Sequence, residues 1–145
     1  MSKVEDFLTA KQEQALIETI QISEKNTSGE IRVHIEKATE KSPMDRALEV
    51  FYMLEMNNTE LRNGILIYVA VESKKIAIIG DEGINSVVPE NFWEDELELM
   101  LTNFKNSDYT KGLQLAIIEI GKKLKQFFPY QKNDSNELSD EISKG

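Results

Sequence analysis

Cysteine is absent from this chain of 145 residues. Without thiols the chain forms no disulfide, has no thiolate nucleophile and lacks the usual ligands of a structural zinc site. Long apolar runs are missing too, since the longest, residues 64–71, is far shorter than the roughly 20 residues that cross a bilayer. The N-terminal segment carries no apolar stretch typical of a secretory signal. We therefore expect a cytoplasmic protein without direct membrane insertion.

Positive charge is also scarce. Lys and Arg number 17 against 26 Asp and Glu, which gives a net charge of −9. Such a chain repels a polyanion overall, and a phosphate-binding surface needs clustered cations. The main lysine cluster, Lys122, Lys123 and Lys125, is typical of a solvated face near the C-terminus of a helix. The composition therefore argues against nucleic acid and against an anionic membrane as partners.

The length and the hydrophobic content of 40% fit one compact domain, which we place at residues 1–129. The remaining residues, 130–145, are polar and aperiodic and are expected to form a disordered tail. Helical periodicity opens the chain, and a capping-box pair, Thr9 and Gln12, precedes it. A second helix follows Ser42. Its predicted packing face consists of Met44, Ala47, Leu48, Phe51 and Leu54.

Three strands are predicted at residues 30–36, 65–71 and 75–80. The last two are almost wholly apolar and are joined by three residues, which indicates an antiparallel hairpin covered on both faces. The first two are joined through a helix, so they should run parallel. The predicted fold is a three-layer α/β/α sandwich around a mixed sheet.

This wiring places the end of the third strand beside the starts of the first two. Five polar side chains should then meet at one rim of the sheet: Glu30, Glu60, Asn63, Asp81 and Glu82. Hard cations such as Ca²⁺ take six to eight oxygen ligands, which carboxylates, amides and carbonyls supply. We therefore predict a divalent-cation site here, with Ca²⁺ favoured and Mg²⁺ as the alternative. The competing interpretation is a turn in which Asp81 caps a helix beginning near Gly83.

Three segments, "TSGEIRVHI", "RNGILIYVAVESKKIAIIGDEGI" and "FKNSDYTKGLQLAIIEIGKKL", resemble the TPM domain family in the right order. The resemblance extends to about Pro129 and is to the stand-alone bacterial form, without signal peptide or membrane anchor. It implies an α/β/α sandwich around a four-stranded sheet, although the residue patterns locate only three strands. It also implies divalent-cation binding near the rim for some members and acid phosphatase activity for plant members.

The chain departs from the family pattern at two positions. Arg62 stands where the family has an acidic residue before the Asn-Gly that starts the second strand, and the acidic "GDEG" replaces a Gly-rich turn. The substitution at Arg62 weakens any transfer of phosphatase activity. Arg62 and Lys75 are the nearest candidates for the cationic group that phosphoryl transfer requires.

Two further candidates are weaker. Glu36, Glu40 and Asp45 mark the opposite rim as a second acidic site, although a solvated loop fits them better. His34 is the single histidine and receives no role, and Ser-His-Asp catalysis lacks its G-x-S-x-G elbow.

The sequence thus favours a non-enzymatic, divalent-metal-binding module that binds or helps assemble a protein partner. A metal-dependent phosphatase is the alternative, and a structural interaction domain without metal is the third possibility.

Overall fold

The computed structural model describes residues 8–25, 27–89, 91–129 and 142–144. These residues form five helices and four strands. In chain order they are α1 (Ala10–Glu24), β1 (Glu30–Glu36), α2 (Pro43–Met53), β2 (Gly64–Ala70), β3 (Lys75–Gly80), α3 (Glu82–Asn85), α4 (Glu94–Lys105), α5 (Tyr109–Phe127) and β4 (Ser143–Lys144). No helix in the described ranges is long and apolar enough to span a bilayer.

The first two helices begin at the predicted caps. Thr9 Oγ1 accepts a hydrogen bond from the Gln12 amide, and the Gln12 side chain accepts one from the Thr9 amide. Ser42 Oγ accepts from the Asp45 amide, and Pro43 occupies the first helical turn. Each cap satisfies backbone donors that have no partner inside the helix, which fixes where the helix starts.

The sheet has the strand order β3-β2-β1-β4. β1 pairs with β2 in parallel, and β2 pairs with β3 in an antiparallel hairpin, as the sequence predicts. In register, Glu30 lies opposite Gly64, and Gly80 lies opposite Ile65. The end of β3 and the starts of β1 and β2 therefore share one edge of the sheet.

Two apolar clusters, one on each face of the sheet, complete the predicted three layers. The larger lies under α1, α4 and α5, and it contains the inward side chains of β1 together with Leu16, Met100 and Ile117. The smaller lies under α2 and contains Phe51 and Tyr68. The α2 layer covers mainly β2 and β3. On the same face of the sheet, β1 carries two buried polar side chains, His34 and Glu36.

The packing face predicted for α2 is correct at Ala47, Phe51 and the half-buried Leu54, and wrong at its other two positions. Met44 and Leu48 are exposed, and the buried side chains are Ala47, Val50 and Phe51. The helix is turned slightly from the prediction, so that Val50 rather than Leu48 packs towards the sheet.

The fourth strand lies inside the predicted tail. β4 pairs in parallel with β1, with Ser143 opposite His34, and Ile142 is 7% exposed in the larger apolar cluster. For residues 142–144 the prediction of disorder is therefore wrong, and residues 130–141 and Gly145 lie outside the described residues. A two-residue strand with one apolar neighbour has no periodicity from which it can be predicted, since its pairing depends on β1, more than 100 positions away.

Candidate functional site

Asp81 stands at the point where β3 leaves the sheet. Its amide donates to the Gly64 carbonyl (3.0 Å), so pairing with β2 continues through this residue. Its side chain accepts a hydrogen bond from the Glu82 amide (2.7 Å) and caps the short helix α3. The helix cap predicted for Asp81 is therefore present.

Arg62 approaches Asp81 from the loop before β2. Its Nε donates to Asp81 Oδ2 (3.0 Å) and its Nη2 to Oδ1 (3.2 Å), which makes a two-pronged ion pair. The Asp81 side chain is 2% exposed and the Arg62 side chain 37% exposed, so solvent reaches the pair from the arginine side. Hydrogen bonding to Asp81 raises the pKa of Arg62.

Glu82 extends the same arrangement into solvent. Its Oε2 lies 3.7 Å from Arg62 Nη2, and its side chain is 78% exposed. One guanidinium therefore stands between two carboxylates, one buried and one exposed. We call the group formed by Glu30, Arg62, Asn63, Asp81 and Glu82 the Asp81 rim.

The backbone of the two loops is locked together at Gly83. Its amide donates to the Arg62 carbonyl (2.8 Å), and a Cβ at this position would lie 2.2 Å from the Leu61 carbonyl oxygen. Only glycine allows that approach. Arg62 itself has a left-handed backbone (φ 51°), which is uncommon for a residue with a side chain. The loop geometry thus fixes the backbone of Arg62 beside Asp81, while its side chain remains partly exposed.

The remaining residues of the predicted cation site are placed as follows. Asn63 is buried, its carbonyl accepts the Glu30 amide (3.3 Å), and its Nδ2 lies 3.4 Å from Ser28 Oγ. Glu30 is buried at the start of β1. Glu60 is exposed on the loop that carries Arg62. The predicted convergence of three segments is therefore present in the backbone.

A divalent cation does not find a ready-made site in this arrangement. Among the described residues, no three His, Cys, Asp or Glu side chains stand together in a position to hold a metal ion. Both oxygens of Asp81 are engaged by Arg62, and Oδ1 also accepts the Glu82 amide. The chemistry of the oxygen donors suits a hard cation, but a cation would have to take the place of the Arg62 guanidinium.

A second polar group, the Glu36 cluster, lies under α2 at the other end of β1. Arg46 donates to both oxygens of Glu36 (Nε to Oε2 and Nη2 to Oε1, both 2.9 Å), and the Tyr68 hydroxyl donates to Oε2. His34 Nε2 lies 3.1 Å from Oε1, and His34 Nδ1 lies 3.0 Å from Ser143 Oγ. The cluster comprises His34, Glu36, Arg46, Tyr68 and Ser143.

Burial and hydrogen bonding oppose each other at Glu36. Burial alone would raise its pKa, but the hydrogen bonds from Arg46, Tyr68 and His34 outweigh that effect and lower the pKa to about 2. Burial lowers the pKa of His34, and burial together with the Glu36 contact raises the pKa of Tyr68. At neutral pH Glu36 is therefore charged, while His34 and Tyr68 are neutral.

The three residues of the second candidate acidic site do not come together, and two of them are solvated, as the favoured interpretation expects. Glu36 is enclosed by its cluster, whereas Glu40 and Asp45 are exposed. Sequence reasoning missed Arg46, and it left His34 without a role. The alternation of side chains along β1 puts His34 and Glu36 on one face of the strand. No local sequence pattern indicates that an arginine of α2 would contact them.

Comparison with known proteins gives a consistent result. A family model described as the TPM domain matches residues 1–123. The NMR structure of BA42 protein from the psychrophilic bacterium Bizionia argentinensis is similar over its whole length, with 50% identity, a TM-score of 0.91 and 100% of both chains covered. No curated protein matches the chain.

A second NMR structure, of the N-terminal domain of a protein from P. gingivalis, is more distant. It is 14% identical with a TM-score of 0.68, over 86% of this chain and 83% of that one. At this identity the likeness shows the fold alone.

Proposed function

The chain belongs to the TPM domain family, and we propose that it is a non-enzymatic binding module whose Asp81 rim takes up a divalent cation, with Ca²⁺ preferred over Mg²⁺. One observation carries the proposal: Asp81 and Glu82 already converge on a single cationic group, the Arg62 guanidinium. The rim is thus built to hold positive charge. The proposal is that Ca²⁺ exchanges with this internal cation.

The charges favour such an exchange. Arg62 supplies one positive charge to two carboxylates, whereas Ca²⁺ supplies two and leaves the pair neutral. The carbonyls of the adjoining loops, the Asn63 side chain and water are the further oxygen donors from which Ca²⁺ would complete its shell. Arg62 lies on a loop and is more than a third exposed, so its side chain can move into water. Glu30 and Glu60 are the additional carboxylates that a rearranged loop would offer.

A protein partner fits the surroundings of the rim. Leu61 and Val87 are exposed apolar side chains on the two loops that a cation would join, and Tyr52 is exposed at the end of α2 near Arg62. Contiguous exposed apolar patches bordered by polar residues are typical of interaction surfaces. We propose that cation binding, by moving Arg62 and tightening the loops, changes how this surface presents itself to the partner.

The described contacts give the phosphatase alternative less support. Phosphoryl transfer needs a cationic group for the phosphate oxygens. Arg62 is engaged with Asp81 and Glu82, while Lys75 begins β3 at its opposite end and donates to the carbonyls of Thr39 (3.2 Å) and Lys41 (3.0 Å). The two candidate cations therefore do not converge. Turnover of a phosphomonoester with Mg²⁺ that is abolished by Asp81→Asn would reverse this preference.

The proposal is tested by titrating the ¹⁵N-labelled chain with Ca²⁺ and following the backbone amides. We expect saturable shifts confined to residues 57–64 and 80–86. Asp81→Ala should abolish them, and Glu98→Gln, which removes an exposed carboxylate on α4, should leave them unchanged. If the parent shows no shifts in these loops, or if Asp81→Ala responds as the parent does, the rim is a capped turn without a cation.

A further inference from the structure

A cavity of about 560 Å³ opens at the end of the sheet opposite to the Asp81 rim. It lies between the turn that joins β2 to β3, the last turn of α4 and the segment leading into α5. Its volume falls in the range of small-molecule sites, which is roughly 300–1,000 Å³. We call it the hairpin cavity.

The lining of the hairpin cavity is mainly apolar. Ile76, Phe104 and Tyr109 line it and pack against the larger apolar cluster, while Leu101, also in the lining, is exposed. The rings of Phe104 and Tyr109 meet edge to face, with centroids 5.3 Å apart. These contacts hold the aromatic lining in place, so the apolar part of the cavity exists before any ligand arrives.

Positive charge borders the same cavity. Lys74 and Lys105 line it and are exposed, and neither forms an ion pair within the part of the chain that the structure describes. Lys75 also lines the cavity, and its ammonium donates to the Thr39 and Lys41 carbonyls. In a chain of net charge −9, two lysines that form no ion pair with any described residue, beside an apolar cavity, favour a ligand that is apolar and anionic.

We propose that the hairpin cavity binds a small amphipathic carboxylate, such as a medium-chain alkyl carboxylic acid. The alkyl chain occupies the apolar lining between Ile76 and Phe104, and the carboxylate lies at the opening that Lys74 and Lys105 border. A neutral molecule of the same length fills the apolar part of the cavity but makes no ionic interaction with Lys74 and Lys105. This site does not depend on the Asp81 rim, since the two lie at opposite ends of β3.

The test is an NMR titration with sodium decanoate, kept below its critical micelle concentration, with decanol as the uncharged control. We expect saturable shifts for the amides of residues 71–76 and 101–109, and binding of decanol at least about tenfold weaker. The paired change Lys74→Glu with Lys105→Glu should weaken decanoate about tenfold or more. Lys125→Glu, which reverses an exposed charge on α5 outside the cavity, should not.

Three results would overturn the proposal. One is the absence of saturable shifts in those two segments, and another is decanol binding as tightly as decanoate. The third is an unchanged decanoate affinity in the paired lysine variant, which would leave an apolar crevice without selectivity for anions. Both lysines are exposed, so the variant should fold, and its amide spectrum without ligand verifies this.

Discussion

Glu36 and Asp81 are both buried carboxylates, and each forms a bidentate ion pair with an arginine. The two pairs lie at opposite ends of the sheet. Glu36 receives its partners from regular elements: Arg46 from α2, Tyr68 from β2 and His34 from its own strand. Asp81 receives Arg62 from a loop and the amide of the next residue. One ion pair is therefore formed between packed regular elements, and the other depends on a loop residue whose side chain is 37% exposed.

This difference separates a structural role from a binding role. The Arg46 side chain is 26% exposed, and its partner Glu36 is also held by Tyr68 and His34. The Arg62 side chain is 37% exposed and can leave Asp81 by moving into water. The Glu36 cluster should therefore contribute mainly to stability. The Asp81 rim should contribute less to stability and more to the exchange of cations.

The largest expected effect comes from removing the charge at Glu36. Glu36→Gln should lower the free energy of unfolding by about 3 kcal/mol, because it removes the buried charge that accepts from Arg46 and Tyr68 and leaves Arg46 only its exposed partner Glu49. Asp81→Asn should cost only about 1 kcal/mol, since Asn still caps α3. Urea denaturation at neutral pH measures both. Equal losses in the two variants would remove the contrast between the two pairs.

Lowering the pH should reduce the stability of the protein through the Glu36 cluster. The pKa of Glu36 is lowered from 4.5 to about 2, so its contribution to stability is complete above the unfolded value and is lost as the pH falls towards the folded value. Between about pH 5 and about pH 3 the loss should be about 2 kcal/mol.

Glu36→Gln isolates this term from the other carboxylates. We expect the stability of the variant to fall less steeply over this interval, by that same amount. Parallel curves for variant and parent would mean that Glu36 is not the group responsible.

The end of the chain contributes to the Glu36 cluster through β4, which pairs with β1. Ending the chain after residue 141 should cost about 1.5 kcal/mol, because Ile142 leaves the apolar cluster and Ser143 leaves His34. Ser143→Ala in the full chain should cost less, about 0.5 to 1 kcal/mol, since it removes one hydrogen bond. Thermal unfolding of both variants gives the comparison. An unchanged melting temperature after truncation would show that β4 adds nothing to stability.

The sequence predicts the backbone of the two regions better than their side-chain partners. The apolar runs at β2 and β3, the crossover through α2 and the cap at Asp81 follow from local patterns, so the shared edge of the sheet is predictable. The pair of Arg62 and Asp81 is not, because it depends on a left-handed loop residue and on the close approach at Gly83. Arg46 escapes prediction for a similar reason, since it reaches Glu36 only once α2 is turned with Ala47 and Val50 inward.

The central claim is that Arg62 and a divalent cation compete for Asp81, and the calcium affinity of Arg62→Gln tests it most directly. Glutamine keeps a polar side chain on the loop but removes the competing charge, so Ca²⁺ should bind about tenfold more tightly than to the parent, as measured by calorimetry. Arg46→Gln, the matched change in the pair of Arg46 and Glu36, should leave calcium affinity unchanged. Equal affinity in Arg62→Gln and the parent, or weaker binding in Arg62→Gln, would contradict the account.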